Sequence, residues 1–163
     1  MKAKFKIGGI FEVKCFGPDG VLKWKDTAKN IVTNVGLNHI LDVVLHGTTA
    51  VSPWYVGLKN AGSVAAADTL ASHGGWTENA NYTGNRQEYV EAAASSQSVT
   101  NTANKASFSI TVNSQTIAGA FLASVTTGTS GTLLSVADFT GGNKSCDNGD
   151  TLSVTYTMSA ADA

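Results

Sequence analysis

Three histidines, two cysteines and twelve acidic residues are the groups from which this 163-residue chain could assemble a reactive site. Nucleophilic catalysis needs a Ser or Cys, a His to take its proton and a third group to orient the His. His39 and His46 fall in a stretch of helical period and His73 in a polar loop; none lies in a nucleophile motif, and Gly-x-Ser-x-Gly is absent. His46, near the helix end, already interacts favourably with the helix dipole. His73 with Asp68 and Glu78 is the most metal-like grouping, yet its spacing matches no cage, and a hard cation needs several convergent oxygens. Asp138, Asp147 and Asp150 read equally well as turn chemistry around Asp147-Asn148-Gly149-Asp150. No catalytic residue, metal or cofactor is therefore expected. Cys15 lies on the apolar face of a strand pattern and reads as a small buried thiol. Cys146 lies in a turn region, and whether the two pair stays open, because sequence does not fix their Cα separation. Trp76 and Tyr82, in an irregular loop, are either a stacking platform or core.

The elements that must hold these residues are mostly strands. Phe5, Ile7, Gly9, Phe11, Val13 and Cys15 alternate with Lys4, Lys6, Gly8, Glu12 and Lys14, the period of a half-buried strand. Gly8-Gly9 in its middle predicts a bulge or a close backbone approach. Gly17-Pro18-Asp19-Gly20 then turns the chain into a second strand over residues 21–25. One segment reads as an α-helix, near residues 35–46 within a span of 34–46. Leu37, Ile40, Leu41, Val44 and Leu45 form a stripe at helical period, Asn34 stands at the N-cap and Gly47 at the C-terminal stop. That stripe is expected to be covered by the strands. Trp54 to Leu58 reads as a strand, and residues 59–106 as an irregular interaction region too long for a plain connector, with one strand over 86–90. Residues 107–160 return to alternating strands, ending in Leu152, Val154, Tyr156 and Met158. The expected fold is a single all-β domain over residues 1–163: a mainly antiparallel sandwich or jelly-roll-like arrangement, with an N-terminal hairpin over 1–30 and one α-helix.

Charged residues make up 14% of the chain, against about 25% in an average soluble domain, so the surface is built on neutral hydrogen bonding. The net charge of −1 gives no general case for a nucleic-acid partner. Charge is nevertheless uneven: residues 1–30 carry seven lysines against three acids, and the remainder four basic against nine acidic groups. Lysines at the start are followed by no apolar run, so no signal peptide is expected, and no window is long and apolar enough to span a membrane.

The basic hairpin with Gly17-Pro18-Asp19-Gly20 and Trp24, then Asn30-Ile31-Val32-Thr33-Asn34 with Gly36-Leu37 and a helix, resembles small tailed-bacteriophage virion proteins. Trp54-Tyr55-Val56-Gly57-Leu58, Asp68-Thr69-Leu70-Ala71-Ser72-His73 with Trp76-Thr77-Glu78, Tyr82 and Arg86 continue the resemblance. So do Gly119-Ala120-Phe121-Leu122, Gly131-Thr132-Leu133 and Gly149-Asp150-Thr151-Leu152-Ser153-Val154. The resemblance implies a non-enzymatic virion structural protein made in the host cytoplasm. The form it implies is a capsid decoration (cement) protein that binds the major capsid protein or another virion protein. A tail-associated or carbohydrate- or receptor-binding β module is the alternative. Loop residues His73, Trp76, Tyr82 and Arg86 are the expected partner contacts, since binding residues concentrate on loops held by a scaffold. Small-residue strands over 92–112 carry little charge to protect their edges, which predicts burial between copies, with a homotrimer favoured.

Overall fold

The computed structural model describes residues 5–162, and within them the chain is mainly antiparallel β-sheet with a single α-helix. The longest pairing joins the two ends of the chain. Strand β1 (Phe5–Phe16) runs antiparallel to the last strand, β13 (Thr151–Asp162), in unbroken register from Phe5 opposite Asp162 to Phe16 opposite Thr151. Period-two patterning places Phe11, Val13 and Cys15 beside Tyr156, Val154 and Leu152 on the inner face, all fully buried. No bulge interrupts Gly8-Gly9. Gly9 is instead a close approach: a Cβ there would meet the Tyr156 ring at 2.7 Å. Strand β2 (Leu22–Lys29), longer than the sequence pattern, flanks β1 after a turn in which Gly20 adopts φ 76°, and a register shift falls at Cys15/Phe16.

β3 (Ile31–Val32) leads into helix α1 (Asn34–Leu45), and β4 (Tyr55–Lys59) follows. The region expected to be irregular contains three short strands, β5 (Glu78–Asn79), β6 (Gln87–Glu88) and β7 (Ser98–Thr100). After β8 (Ala106–Ser109) come β9 (Gln115–Ile117), β10 (Gly119–Ala123), β11 (Leu133–Asp138) and β12 (Lys144–Cys146). One sheet has the order β2-β1-β13-β7, with β8 also pairing β13. The second has the order β3-β11-β10-β4-β5, with β6 also pairing β4; β12 and β9 form a small ribbon. Neither large sheet closes into a barrel or curls strongly among the described residues. Both feed one core: Phe11, Phe108 and Tyr156 from the first meet Val56, Leu58 and Leu122 from the second.

The second sheet is buried on its other face as well. Leu70 and Trp76, from the loop between β4 and β5, pack on Phe121, Leu133 and Val136, so that long loop is a packed cover rather than a free arm. Gly57 lies beneath the Phe121 ring, which occupies the space a side chain would need. Lys59, wholly buried at the end of β4, sends its ammonium to the Asp138 carboxylate and donates to the Gly62 carbonyl at 3.0 Å.

A gap in the first sheet is closed by a side chain. β7 pairs with residues 157–159 of β13 and β8 with residues 151–154. Between them, buried Asn101 donates from Nδ2 to the Val154 carbonyl (3.2 Å) and accepts the Tyr156 N–H at Oδ1 (2.7 Å). The carboxamide thus supplies the ladder bonds that a continuous strand would have made.

The helix departs most from the sequence expectation. Its N-cap is Thr33, not Asn34: the buried Thr33 Oγ1 accepts the Gly36 N–H at 3.0 Å and donates to the Leu133 carbonyl. Gly36 is the buried residue of α1, set so close to β11 that a Cβ would collide with the Leu134 backbone. That contact fixes the helix's rotation. Ile40, one turn on, packs at the edge of the main core. The apolar stripe is turned outward, with Leu37, Leu41, Val44 and Leu45 exposed to 39, 52, 71 and 80%. The expectation that this stripe is core is corrected.

Candidate partner-binding surface

The expected contact residues lie largely inside the fold. Trp76 is buried against Phe121, its indole N–H donating to the Asp68 carboxylate at 2.9 Å, and the same carboxylate oxygen accepts the Ala65 N–H. Tyr82 is buried edge-on against Phe108. Arg86 is buried too: its guanidinium grips Glu78 through two bonds of 2.8 and 2.7 Å and donates to the carbonyls of Val125 and Gly128. Such a fork uses four of the five guanidinium N–H groups and ties the Arg86 loop to β5 and to the loop between β10 and β11. His73 is half-buried, stacked on Trp76 at 4.2 Å, with Nδ1 3.0 Å from the Thr69 carbonyl. Burial removes Trp76, Tyr82 and Arg86 from any surface that a partner of the folded chain could touch.

The titratable groups are equally committed. Asp68 serves Trp76 and Glu78 serves Arg86, so the His73, Asp68 and Glu78 grouping does not converge. Among the described residues no three His, Cys, Asp or Glu side chains are placed to hold a metal ion. Asp138 pairs with Lys59, while Asp150 accepts the Lys23 ammonium at 2.6 Å and the Asp147 N–H at 2.9 Å. Burial pushes the Asp150 carboxyl up, but Lys23 and the Asp147 N–H outweigh it and leave the pKa lowered. Asp26 behaves alike: desolvation is outweighed by Lys144 and by the N–H groups of Gly141 and Thr27, and its pKa is lowered. Cys15 and Cys146 are free and buried. Burial, reinforced by the Asp150 charge, raises their pKa to about 12 and about 11, so at neutral pH both are protonated and poor nucleophiles.

What the fold leaves open is the outer face of α1. The helix packs inward through Gly36 and Ile40, and His39 meets Trp54 edge-on at 5.4 Å. Leu37, Leu41, Val44 and Leu45 form a neighbouring line at i, i+4, i+7 and i+8 that is partly covered at Leu37 and opens progressively toward Leu45 among the described residues. Beside Trp54 opens an apolar cleft of about 390 Å³ between the sheets, reaching Leu122, Leu134 and Met158. The exposed line went unrecognised as a surface because helical periodicity identifies an apolar face without saying what covers it. The available signal was Gly36, a residue with poor helix propensity in the first turn, which makes sense where the backbone itself touches a neighbour. No protein-family model matches the chain, and no curated protein is significantly similar to it.

Proposed function

We infer that this chain is a non-enzymatic structural protein that binds another protein through the outer face of α1, as a capsid decoration protein binds the major capsid protein of a tailed bacteriophage. The observation that carries the docking role is the line of Leu37, Leu41, Val44 and Leu45 held out in water. Four large apolar side chains together make a patch of a few hundred Å², the size at which exposed apolar surface marks an interaction site. A specific interface buries about 800 Å² per partner, so this line would be its centre, with Asn38 and Asp42 at the rim. The virion setting rests on the sequence resemblance. The inferred architecture is of sandwich type, with the two large sheets facing across their common core.

A homotrimer remains the inferred assembly, but the seam moves. Residues 92–95, themselves exposed, fold back on β7 through paired bonds between Ser95 and Ser98 and an Ala92 N–H donated to Thr100, so the edge of β7 is covered within the chain. Contacts between copies, like those to the capsid, would fall on α1. The carbohydrate- or receptor-binding alternative loses its stacking platform with the burial of Trp76 and Tyr82.

The test is binding of purified protein to capsids that lack it, counted per lattice site. A Leu41→Ser/Val44→Ser/Leu45→Ser variant is expected to keep the wild-type circular-dichroism spectrum and unfolding temperature and to lose particle binding. Undiminished occupancy by the folded variant would refute the reading.

A further inference from the structure

Gly8 is a glycine that no contact among the described residues explains. It sits inside β1, where a glycine weakens a strand unless something approaches the backbone closely. Gly9 beside it answers to Tyr156, but a Cβ built on Gly8 meets nothing within 4 Å, and Gly8 does not adopt positive φ. The missing side chain leaves a groove of about 420 Å³ on the outer face of the first sheet, walled by Lys6 and Ile10 of β1, Lys29 of β2, and Thr157 and Ser159 of β13.

The charge on this face is mostly of one sign, with Glu12 its one acid among the described residues of β1 and β2. Lys6, Lys14, Lys25 and Lys29 stand outward on β1 and β2, and among them Lys14 alone has a carboxylate partner among the described residues, Glu12 at 3.0 Å. Lys14 and Lys25 are direct cross-strand neighbours whose repulsion Glu12 relieves, whereas Lys6 and Lys29, beside Gly8, have no carboxylate partner among the described residues. β13 contributes the hydroxyls of Thr155, Thr157 and Ser159 and no acid beside them.

Spacing selects the kind of anion. Lys6 lies four residues from Ile10, which is paired with Lys29, so the two ammonium-bearing positions stand about 14 Å apart along the strand. A single phosphate or carboxylate does not reach both. An extended peptide with acidic side chains at i and i+4 does, and its middle passes over Gly8, which has no side chain to obstruct it. The net charge of −1 argues against a nucleic acid, whose binding needs a broadly basic surface. We propose that the outer face of the β1–β2–β13 sheet is a second docking site, which takes an extended acidic segment of a partner protein across Gly8 between Lys6 and Lys29.

The experiment titrates the full chain with a capped peptide bearing glutamate at both ends and alanine-serine-alanine between, followed by backbone-amide chemical shifts. The glutamine version of the peptide, inorganic phosphate and a single-stranded oligothymidylate are run in parallel. Saturable shifts centred on Gly8, Ile10 and Thr157, weakened at least tenfold in the glutamine peptide and by added salt, are the expected result. Gly8→Val fills the groove with a strand-favouring side chain and is expected to hold or raise the unfolding temperature while weakening the peptide at least tenfold. Should that variant fail to fold, Lys6→Gln/Lys29→Gln is expected to weaken the peptide to the same degree. Equal binding of the peptide to either folded variant overturns the site. Phosphate binding as tightly as the peptide overturns the extended occupant, and tighter binding of the oligothymidylate overturns the protein partner.

Discussion

Asn101→Ala should be the most damaging conservative truncation in the first sheet. The side chain is wholly buried and, with the Asn101 backbone N–H that donates to the Tyr156 carbonyl at 3.4 Å, stands in for strand pairing on the edge of β13 that β7 and β8 leave open at residues 155–156. Alanine would orphan the Tyr156 N–H and remove one donor from the Val154 carbonyl, whose residue also pairs with Ala106 of β8. Each unsatisfied buried group costs about 1–3 kcal/mol. Adding the void left by the carboxamide and allowing for partial collapse, the loss comes to about 3–5 kcal/mol, a large share of the roughly 5–15 kcal/mol that holds a domain folded. For a chain of this length that is a fall in unfolding temperature of about 10–15 °C, at some 2–4 °C per kcal/mol. Urea unfolding followed by circular dichroism gives the free energy, and calorimetry the temperature. Asn101→Asp is the informative companion: it keeps an acceptor for the Tyr156 N–H but loses the donor to Val154 and buries a charge. It should be at least as damaging at neutral pH and recover as the carboxyl protonates. An alanine variant within about 1 kcal/mol of wild type would mean that the carboxamide does not complete the ladder.

Gly36→Ala forces a methyl into the Leu134 backbone and should destabilise by about 2–3 kcal/mol, whereas Leu41→Ala, on the open side of the helix, should stay within about 1 kcal/mol by urea midpoint. At high pH the unfolded chain releases thiol protons near pH 8.5–9 while folded Cys15 and Cys146 hold theirs to about 12 and about 11. The unfolded state then binds fewer protons, so stability is full below pH 8 and falls by up to about 2.7 kcal/mol per pH unit from pH 9 to 11. A urea midpoint in reducing buffer that stayed flat from pH 8 to 10 would contradict this. Ser96 and Gln97 occupy a two-residue hairpin turn with φ of 50° and 56°, positions that favour Asn-Gly, so Ser96→Asn/Gln97→Gly should stabilise by about 0.5–1 kcal/mol in the same assay.

Sequence pattern disclosed the parts of this fold that depend on local period. Alternation in β1 and β13 named Phe11, Val13, Leu152, Val154 and Tyr156 as core, and the existence of one helix followed from its stripe. It could not disclose partners distant along the chain. Lys59 falls at the start of the stretch read as irregular, because nothing local reveals Asp138, and Asn101 lies in a small polar run that gives no hint of its hold on β13. Trp76, Tyr82 and Arg86 belong to loops with no regular period, and their burial depends on Asp68, Phe108 and Glu78 closing around them. The orientation of α1 turned on the absence of a side chain at Gly36, while the apolar stripe beside it pointed the other way. The candidate surface was therefore visible in composition and hidden in phase.

The pairing of β1 with β13 also governs how the molecule comes together in time. The first sheet is built around two strands far apart in sequence, so its centre closes only after everything between Phe16 and Thr151 has been made. Contacts of such long sequence separation carry a large loop-closure entropy and make folding slow. Until β13 arrives, β1 has β2 for company on one side and an unpaired backbone on the other, with Phe11, Val13 and Cys15 uncovered. Lys6 and Lys14, alternating with those apolar residues, are the kind of charge that discourages a waiting strand from pairing with its counterpart in another nascent chain. The lysines of β1 thus guard the chain during folding on the same face that they expose once it is folded.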